Sequence, residues 1–302
     1  MQGKLLVVGS LNMDLVVNVA RHPQIGETIL GGKFTTIPGG KGANQAVASA
    51  RMGSAVTMIG RVGRDRFGDE LRASAAKDGI DIQYVNVDEQ EATGIALITV
   101  DAVGRNTIVV ASGANLALTP RDLHTAEQAF VNADVLVAQL ESPLETVSEA
   151  IALAVANKLR VVLNPAPAQP LSAELLSKVD YFIPNEREAM QVVGAETLDS
   201  AIDQLLGMGV RNLIITLGEK GVLVVTPDGR KEIPAYSVQA VDTVAAGDAF
   251  VGAFATGLAE GMSVEQAVQL GNAAAAISVT RHGAQPSLPT RKEVNEFFGG
   301  RK

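Results

Sequence analysis

Six short apolar runs punctuate this chain without alternating polar and apolar residues: "LLVVG" (5–9), "AVTMIG" (55–60), "DVLVAQL" (134–140), "RVVLN" (160–164), "YFIP" (181–184) and "NLIITLG" (212–218). A strand with one face in water alternates, whereas a strand that does not is covered on both faces, as in a parallel sheet. Between several runs the apolar spacing changes to three or four. Leu144, Val147, Ile151 and Val155 mark a helix over 143–158, with Ser142 as its cap and Pro143 at the first helical position. The Ala-rich stretch 43–51 is likewise helical. Strands alternating with helices predict an α/β fold with right-handed crossovers and helices on both faces of one sheet. The 302 residues suit one large domain, alone or with a small appendage. With 4% aromatics and no Trp, its core must come from Ala, Val, Leu and Ile.

Two regions break the rhythm. "LVVNVA" (15–20) with "TILGGKFTTIP" (28–38), and "TGIALITV" (93–100) with "NTIVVAS" (106–112), are strand-like with no helix between partners. The turn "DAVGRN" makes the second pair a hairpin. A small sheet built from both pairs, set over the ligand-binding edge of an α/β domain, would act as a lid. Such a sheet carries more apolar side chains than one buried face needs, which predicts a homodimer through the lid.

Composition removes several classes of function. A net charge of −8 argues against nucleic acid as the main partner. The absence of cysteine excludes disulfides, zinc–thiolate sites and cysteine nucleophiles, and fits a cytoplasmic protein. No two of His22, His124 and His282 have metal-ligand spacing. The N-terminus reads as a first strand rather than a signal peptide, and no run is long enough to span a bilayer, so no membrane partner is expected.

Several short polar motifs then stand out. "VDTVAAGDAFVGAFATGLAEG" (241–261) puts Asp248 at the mouth of a long apolar run behind Ala245, Ala246 and Gly247. Asp248 is either a helix N-cap or a reacting group beside a phosphate-binding helix end, and both readings stay open. "PGGKGANQA" (38–46) sets glycines, Lys41 and Asn44 at a helix start; it is neither a Walker A loop nor a G-x-G-x-x-G fingerprint. In "SLNMD" (10–14), Asn12 and Asp14 share one side of an extended segment and suit a polyol, with an Asx turn as the alternative. "QLES" ends a strand with Glu141, and "PNEREA" offers an Asn185–Glu188 capping box. "TLGEKG" (216–221) is a Gly-rich turn between strands, and "GAN" recurs at 42–44 and 113–115.

"GGKGANQA", "QLES", "NPAPA", "PNEREA", "ITLGEKG" and "DTVAAGDAF" occur in this order, with "RHGAQPS" near the end. Together they resemble the ribokinase family of carbohydrate kinases from about residue 4 to residue 290. The resemblance implies a three-layer α/β/α sandwich with a mainly parallel sheet and a small β-sheet lid, as one domain over 1–302 with lid strands at about 15–38 and 93–112. It implies transfer of the γ-phosphate of ATP to the 5-hydroxyl of D-ribose, with Mg²⁺ accompanying the nucleotide. Asp248 matches the base, and Asn12, Asp14, Gly40, Lys41, Asn44 and Glu141 match sugar-holding positions. Asn185, the turn Thr216, Leu217, Gly218, Glu219, Lys220 and Gly221, and Asn272 match nucleotide contacts, with Glu188 near the phosphates. Asp242, Val244, Ser278, Arg281, Gly283 and Ser287 match loops that hold an activating K⁺, largely through backbone oxygens. A helix opening at Ala245–Ala246–Gly247–Asp248 would supply an anion hole for the phosphoryl group. Another sugar kinase of the family, for 2-deoxyribose, fructose or a nucleoside, is the alternative, followed by a non-catalytic sugar-binding regulator.

Overall fold

The computed structural model describes residues 2–300. Among them, thirteen strands fall into two sheets. The larger contains β1 (Lys4–Val8), β4 (Ala55–Gly63), β5 (Asp81–Asp88), β8 (Val135–Ala138), β9 (Arg160–Leu163), β10 (Tyr181–Phe182), β11 (Asn212–Thr216), β12 (Val222–Thr226) and β13 (Gly229–Ile233). The smaller contains β2 (Asn12–Asn18), β3 (Phe34–Gly39), β6 (Gly94–Val100) and β7 (Asn106–Ala111).

In the larger sheet the order is β13-β12-β11-β10-β9-β8-β1-β4-β5. From β11 to β5 every neighbouring pair is parallel, and β12 and β13 add an antiparallel edge. The absence of alternation in the sequence has a direct cause: consecutive side chains enter two different cores. Leu5 and Val7 join one cluster and Leu6 and Val8 the other. The first core is covered by α1 (Lys41–Arg51), α2 (Arg66–Lys77), α9 (Ala246–Ala259), α10 (Val264–Ser278) and α11 (Arg291–Gly299). The second lies under α3 (Pro120–Thr125), α4 (Glu127–Asn132), α5 (Leu144–Ala156), α6 (Ala173–Leu176), α7 (Glu186–Val193) and α8 (Leu198–Gly207). The architecture is the expected three-layer sandwich.

The apolar segment behind Asp248 is α9, which is buried around its whole circumference between α1 and α10. Small residues make this possible. A Cβ on Gly252 would lie 2.5 Å from the Ala48 Cβ, so α1 and α9 meet at glycine distance. Among the described residues no helix is long and apolar enough to cross a membrane.

Two helix starts differ from the expectation. α5 begins at Leu144, and Pro143 is its boundary residue with ψ 133°, outside the helical range. Ser142 therefore does not cap it, and its hydroxyl is buried without a partner. α1 begins two residues earlier than expected, at Lys41, after Gly40 turns the chain with φ 87°.

Both interrupting strand pairs enter the smaller sheet, in the order β3-β2-β6-β7. β6 and β7 form the expected hairpin, while β2 and β6 join the two pairs in parallel, with Asn12 opposite Gly94 and Asp14 opposite Ala96. β2 starts at Asn12 rather than near residue 15. Asn12 and Asp14 thus sit within a strand on one face, and the Asx-turn alternative falls away.

Candidate active site

Polar side chains converge where the carboxyl ends of β1 and β8 meet the smaller sheet and the N-termini of α1 and α9. Two adjoining cavities occupy this region. One is lined by Asn12, Asp14, Gly40, Lys41, Asn44, Glu141 and Asp248, beneath Ala96, Ile98, Asn106, Ile108 and Val110 of the smaller sheet. The other is lined by Asn164, Asn185, Glu188, Thr216 and Gly247, among others. Lys41, Thr243, Ala245 and Asp248 belong to both walls.

The N-terminus of α9 stands between the cavities. Its boundary residue is Ala245, held in the left-handed region at φ 59°, ψ 9°, where a side chain carries a cost of about 1–2 kcal/mol. The Ala246 N–H, expected as an anion-hole donor, gives its hydrogen to Thr243 O at 3.3 Å; the N–H groups of Gly247 and Asp248 have no partner inside the helix and belong to residues that line the cavities. Gly247 is open there: a Cβ built on it would meet nothing within 4 Å. Asp248 is not the N-cap. It lies in the first turn, and its carboxylate accepts from Asn44 Nδ2 at 2.9 Å and Gln45 Nε2 at 3.0 Å. Burial pushes its pKa above the ordinary value; Lys41, Asn44 and Gln45 pull it down, and Glu141 pushes it further up.

Hydrogen-bond direction in the first cavity can be read from backbone groups, whose roles are fixed. The Leu11 N–H donates to Asn115 Oδ1 at 2.9 Å, so the Asn115 amide turns its NH₂ to Asn12 Oδ1 at 2.8 Å. Asn12 is left presenting its own NH₂, for which no acceptor is found among the described residues. Glu141 is held by the Ser10 hydroxyl and the Lys41 N–H, which donate to its Oε2 at 2.5 Å and 3.0 Å. Asp14 is buried, yet among the described residues no donor reaches its carboxylate. Burial, then the charges of Glu141 and Asp248, raise its pKa to about 7. Burial pulls the Lys41 ammonium down, but Asp248, Glu141 and Glu188 outweigh it and leave its pKa above the ordinary value. The cavity therefore offers a donor, an acceptor and an ammonium that the protein does not use itself. Buried polar groups left unpaired are costly, so this set is complementary to a ligand rich in hydroxyls.

In the second cavity Asn185 and Glu188 form the expected capping box, each side chain accepting from the other's backbone N–H at 2.8 Å. Glu188 also lines the wall, and burial raises its pKa. Asn185 bridges to Thr216, whose N–H donates to Pro184 O at 3.0 Å. Leu217, Gly218, Glu219, Lys220 and Gly221 form the turn into β12 and do not line either cavity. Asn272 donates to Pro234 O at 3.2 Å, in the segment against which Gly221 packs.

The six residues of the loops near α9 and α10 fall into two hydrogen-bonded groups, Asp242 with Val244 and Gly283, and Ser278 with Ser287 and Arg281. Asp242 accepts from the Val244 N–H at 3.0 Å and the Gly283 N–H at 2.9 Å, tying the two loops together. The Ser278 and Ser287 hydroxyls are 2.8 Å apart. Arg281 turns its guanidinium to Glu293 at 2.6 Å, so only its backbone remains for this cluster.

The structure adds Asn115, Ser10, Gln45 and Gln139 to the site. The second "GAN" ends on Asn115, as the first ends on Asn44, and Gln45 and Gln139 lie inside "GGKGANQA" and "QLES".

Residues 2–291 match the pattern of the pfkB family carbohydrate kinases. The chain is 45% identical to a ribokinase of Haemophilus influenzae over 303 residues, covering 99% of each protein. It is 39% identical to a deoxyribokinase of Salmonella typhi, covering 97% of this chain and 98% of that one. Ribokinase of Arabidopsis thaliana, solved with ribose and ATP, superimposes with a TM-score of 0.91 at 32% identity, covering 98% of both chains.

Proposed function

The chain belongs to the pfkB family of carbohydrate kinases, and on that premise we propose that it transfers the γ-phosphate of ATP to the 5-hydroxyl of D-ribose, giving D-ribose 5-phosphate and ADP. The observation that carries this reading is Asp248, a buried carboxylate on the wall shared by a hydroxyl-seeking cavity and a cavity at a helix N-terminus. Ribose occupies the first cavity, held by Asn12, Asp14, Lys41, Asn44 and Glu141 beside Gly40. ATP lies beyond α9, near Asn185, Glu188, Thr216 and the turn 217–221, with Asn272 supporting that turn through Pro234.

Asp248 takes the proton from the sugar hydroxyl as its oxygen attacks phosphorus in line with the departing ADP. The N–H groups of Gly247 and Asp248, turned by Ala245, receive the charge that accumulates on the transferring group, while that of Ala246 is held by Thr243 O. Lys41 reaches both cavities and adds positive charge between the reactants. Among the described residues no group of three or more His, Cys, Asp or Glu side chains is arranged to hold a metal. Glu188, a single carboxylate on the wall of the second cavity, fits a Mg²⁺ carried mainly by nucleotide phosphates and water, where it would neutralise phosphate charge. With both Asp242 oxygens accepting from Val244 and Gly283 and the Arg281 guanidinium held by Glu293, the loops of Asp242, Val244, Ser278, Arg281, Gly283 and Ser287 have backbone carbonyls and two serine hydroxyls left for a K⁺; bound there, the ion would order the loop into Ala245. We further read the chain as one domain with the smaller sheet as lid, acting as a homodimer in the cytoplasm.

The test is ADP release from MgATP across a panel of sugars, with the product located by ³¹P NMR. Ribose-dependent ADP release and a 5-phosphate are expected. ADP release with no pentose dependence would overturn the reading. The identity with a deoxyribokinase favours a second reading, 2-deoxyribose as substrate. Equal kcat/KM for the two sugars in the same panel would promote it.

A further inference from the structure

Beside Asp248 lies a chain of three amides, Asn164, Gln45 and Gln139, of which Asn164 lines the second cavity and the other two are buried. Asn164 Nδ2 donates to the Ile183 carbonyl at 2.8 Å. A backbone carbonyl can only accept, so the Asn164 amide is oriented without ambiguity and its Oδ1 faces Gln45 Nε2 at 3.2 Å. From the other side Gln139 Nε2 donates to Gln45 Oε1 at 2.7 Å. Gln45 and Gln139 are both completely buried. The Gln45 amide is therefore fixed from the Asn164 side, with Gln139, whose own Oε1 has no partner among the described residues, following it, and its remaining N–H points at Asp248 Oδ1, 3.0 Å away.

We propose that Gln45, oriented by Asn164 and Gln139, is a positioning residue that keeps Asp248 Oδ1 a hydrogen-bond acceptor throughout turnover and so assigns the sugar proton to Oδ2. The inference rests on the reading of Asp248 as the base. Oδ2 is the oxygen beside Asn44, and Asn44 lines the sugar cavity while Gln45 does not. In the step so assigned, the sugar O5–H bond breaks as Oδ2–H forms, and the new O5–phosphorus bond replaces the bond from phosphorus to ADP. Asn44 Oδ1 is buried without a partner, so rotation of that amide would let it accept from the newly protonated Oδ2. Gln45 cannot follow, because reversing it would set its Oε1 against Asn164 Oδ1.

This role differs from simple packing in how it responds to pH. The charged groups facing Asp248 are Lys41 on α1, Asp14 on β2, Glu141 after β8 and Glu188 on α7. All four remain when Gln45 is changed to Met, a side chain of similar length with no donor. The loss of one hydrogen bond to a carboxylate should move the acid limb of kcat, measured at saturating ribose and MgATP, upward by about one to two pH units. On the acid side of the limb kcat therefore falls about ten- to a hundredfold below the wild type at the same pH, and it recovers above the shifted limb, with KM for ribose little changed. Gln139→Met, which frees the Gln45 amide to turn, should shift the limb in the same direction by less. It also serves as the test if Gln45→Met fails to fold. An acid limb at the wild-type pH in a folded Gln45→Met or Gln139→Met protein, whether the rate falls uniformly or is unchanged, overturns the inference. Asp248→Asn separates this from failure of the parent reading: if that variant turns over normally, Asp248 is not the base. If it is inactive while the Gln45→Met limb is unmoved, the positioning role alone is wrong.

Discussion

Asp14 couples ribose binding to protonation close to neutral pH. Its carboxyl is buried beside Glu141 and Asp248, with its pKa raised from 3.8 to about 7 and no protein donor to satisfy it. If the ionised form accepts a sugar hydroxyl, ribose binds the deprotonated protein and releases a proton. Affinity should then fall about tenfold for each unit below pH 7 and level off above it, so that pH 6 is roughly tenfold weaker than pH 8. The same shift acts on the fold with the opposite preference. The native state retains a proton that the unfolded chain has given up above about pH 4. Stability of the sugar-free protein therefore falls as pH rises from about 4 to 7, by at most about 4 kcal/mol from this group. Asp14→Asn removes both effects: ribose binding becomes flat with pH, and the variant gains in Tm over the wild type at pH 8 but not at pH 4. Calorimetric titration of ribose between pH 5.5 and 8.5, in two buffers of different ionisation enthalpy, reads both the affinity and the proton released. A flat wild-type profile, or the same slope in Asp14→Asn, would refute this account of the cavity.

Turnover should rise when K⁺ replaces a large organic cation at matched ionic strength; equal rates would remove the assignment of the Asp242–Gly283 loops. Sedimentation should show a dimer at micromolar concentration, because the face of the smaller sheet turned away from the cavity leaves Leu97 and Val109, opposite each other on β6 and β7, at 49 and 65% exposure; a monomer with and without ribose would contradict it. Gly42→Ala should cost about 1–3 kcal/mol, several degrees in Tm, and raise KM for ribose. Its Cβ would lie 2.5 Å from Ser10 N and 2.6 Å from Gly9 C, backbone atoms that cannot rotate away. An unchanged melting curve would show that α1 can shift freely against β1.

The central strands were legible because burial on both faces leaves a composition signal, as in "LLVVG". β5 and β13 left no such signal: "DIQYVNVD" is half-buried along its length and "GRKEI" is exposed save for Ile233. The partnership of β2 with β6 could not be read, since strand pairing across 80 residues depends on tertiary packing. Asp248 was visible as an acid at a helix mouth, but its choice between cap and reacting group depended on the φ of Ala245. The positioning amides were the least legible. Asn115, Gln45 and Gln139 are ordinary residue types whose roles come entirely from what lies opposite them in space.

The account turns on Asp248 as the proton acceptor. Single-turnover transfer from MgATP to ribose by Asp248→Asn, with ribose binding measured on the same preparation, tests it most directly. The variant should bind ribose and nucleotide yet transfer phosphate about 10²–10⁴-fold more slowly. Transfer at a near-normal rate would contradict the mechanism.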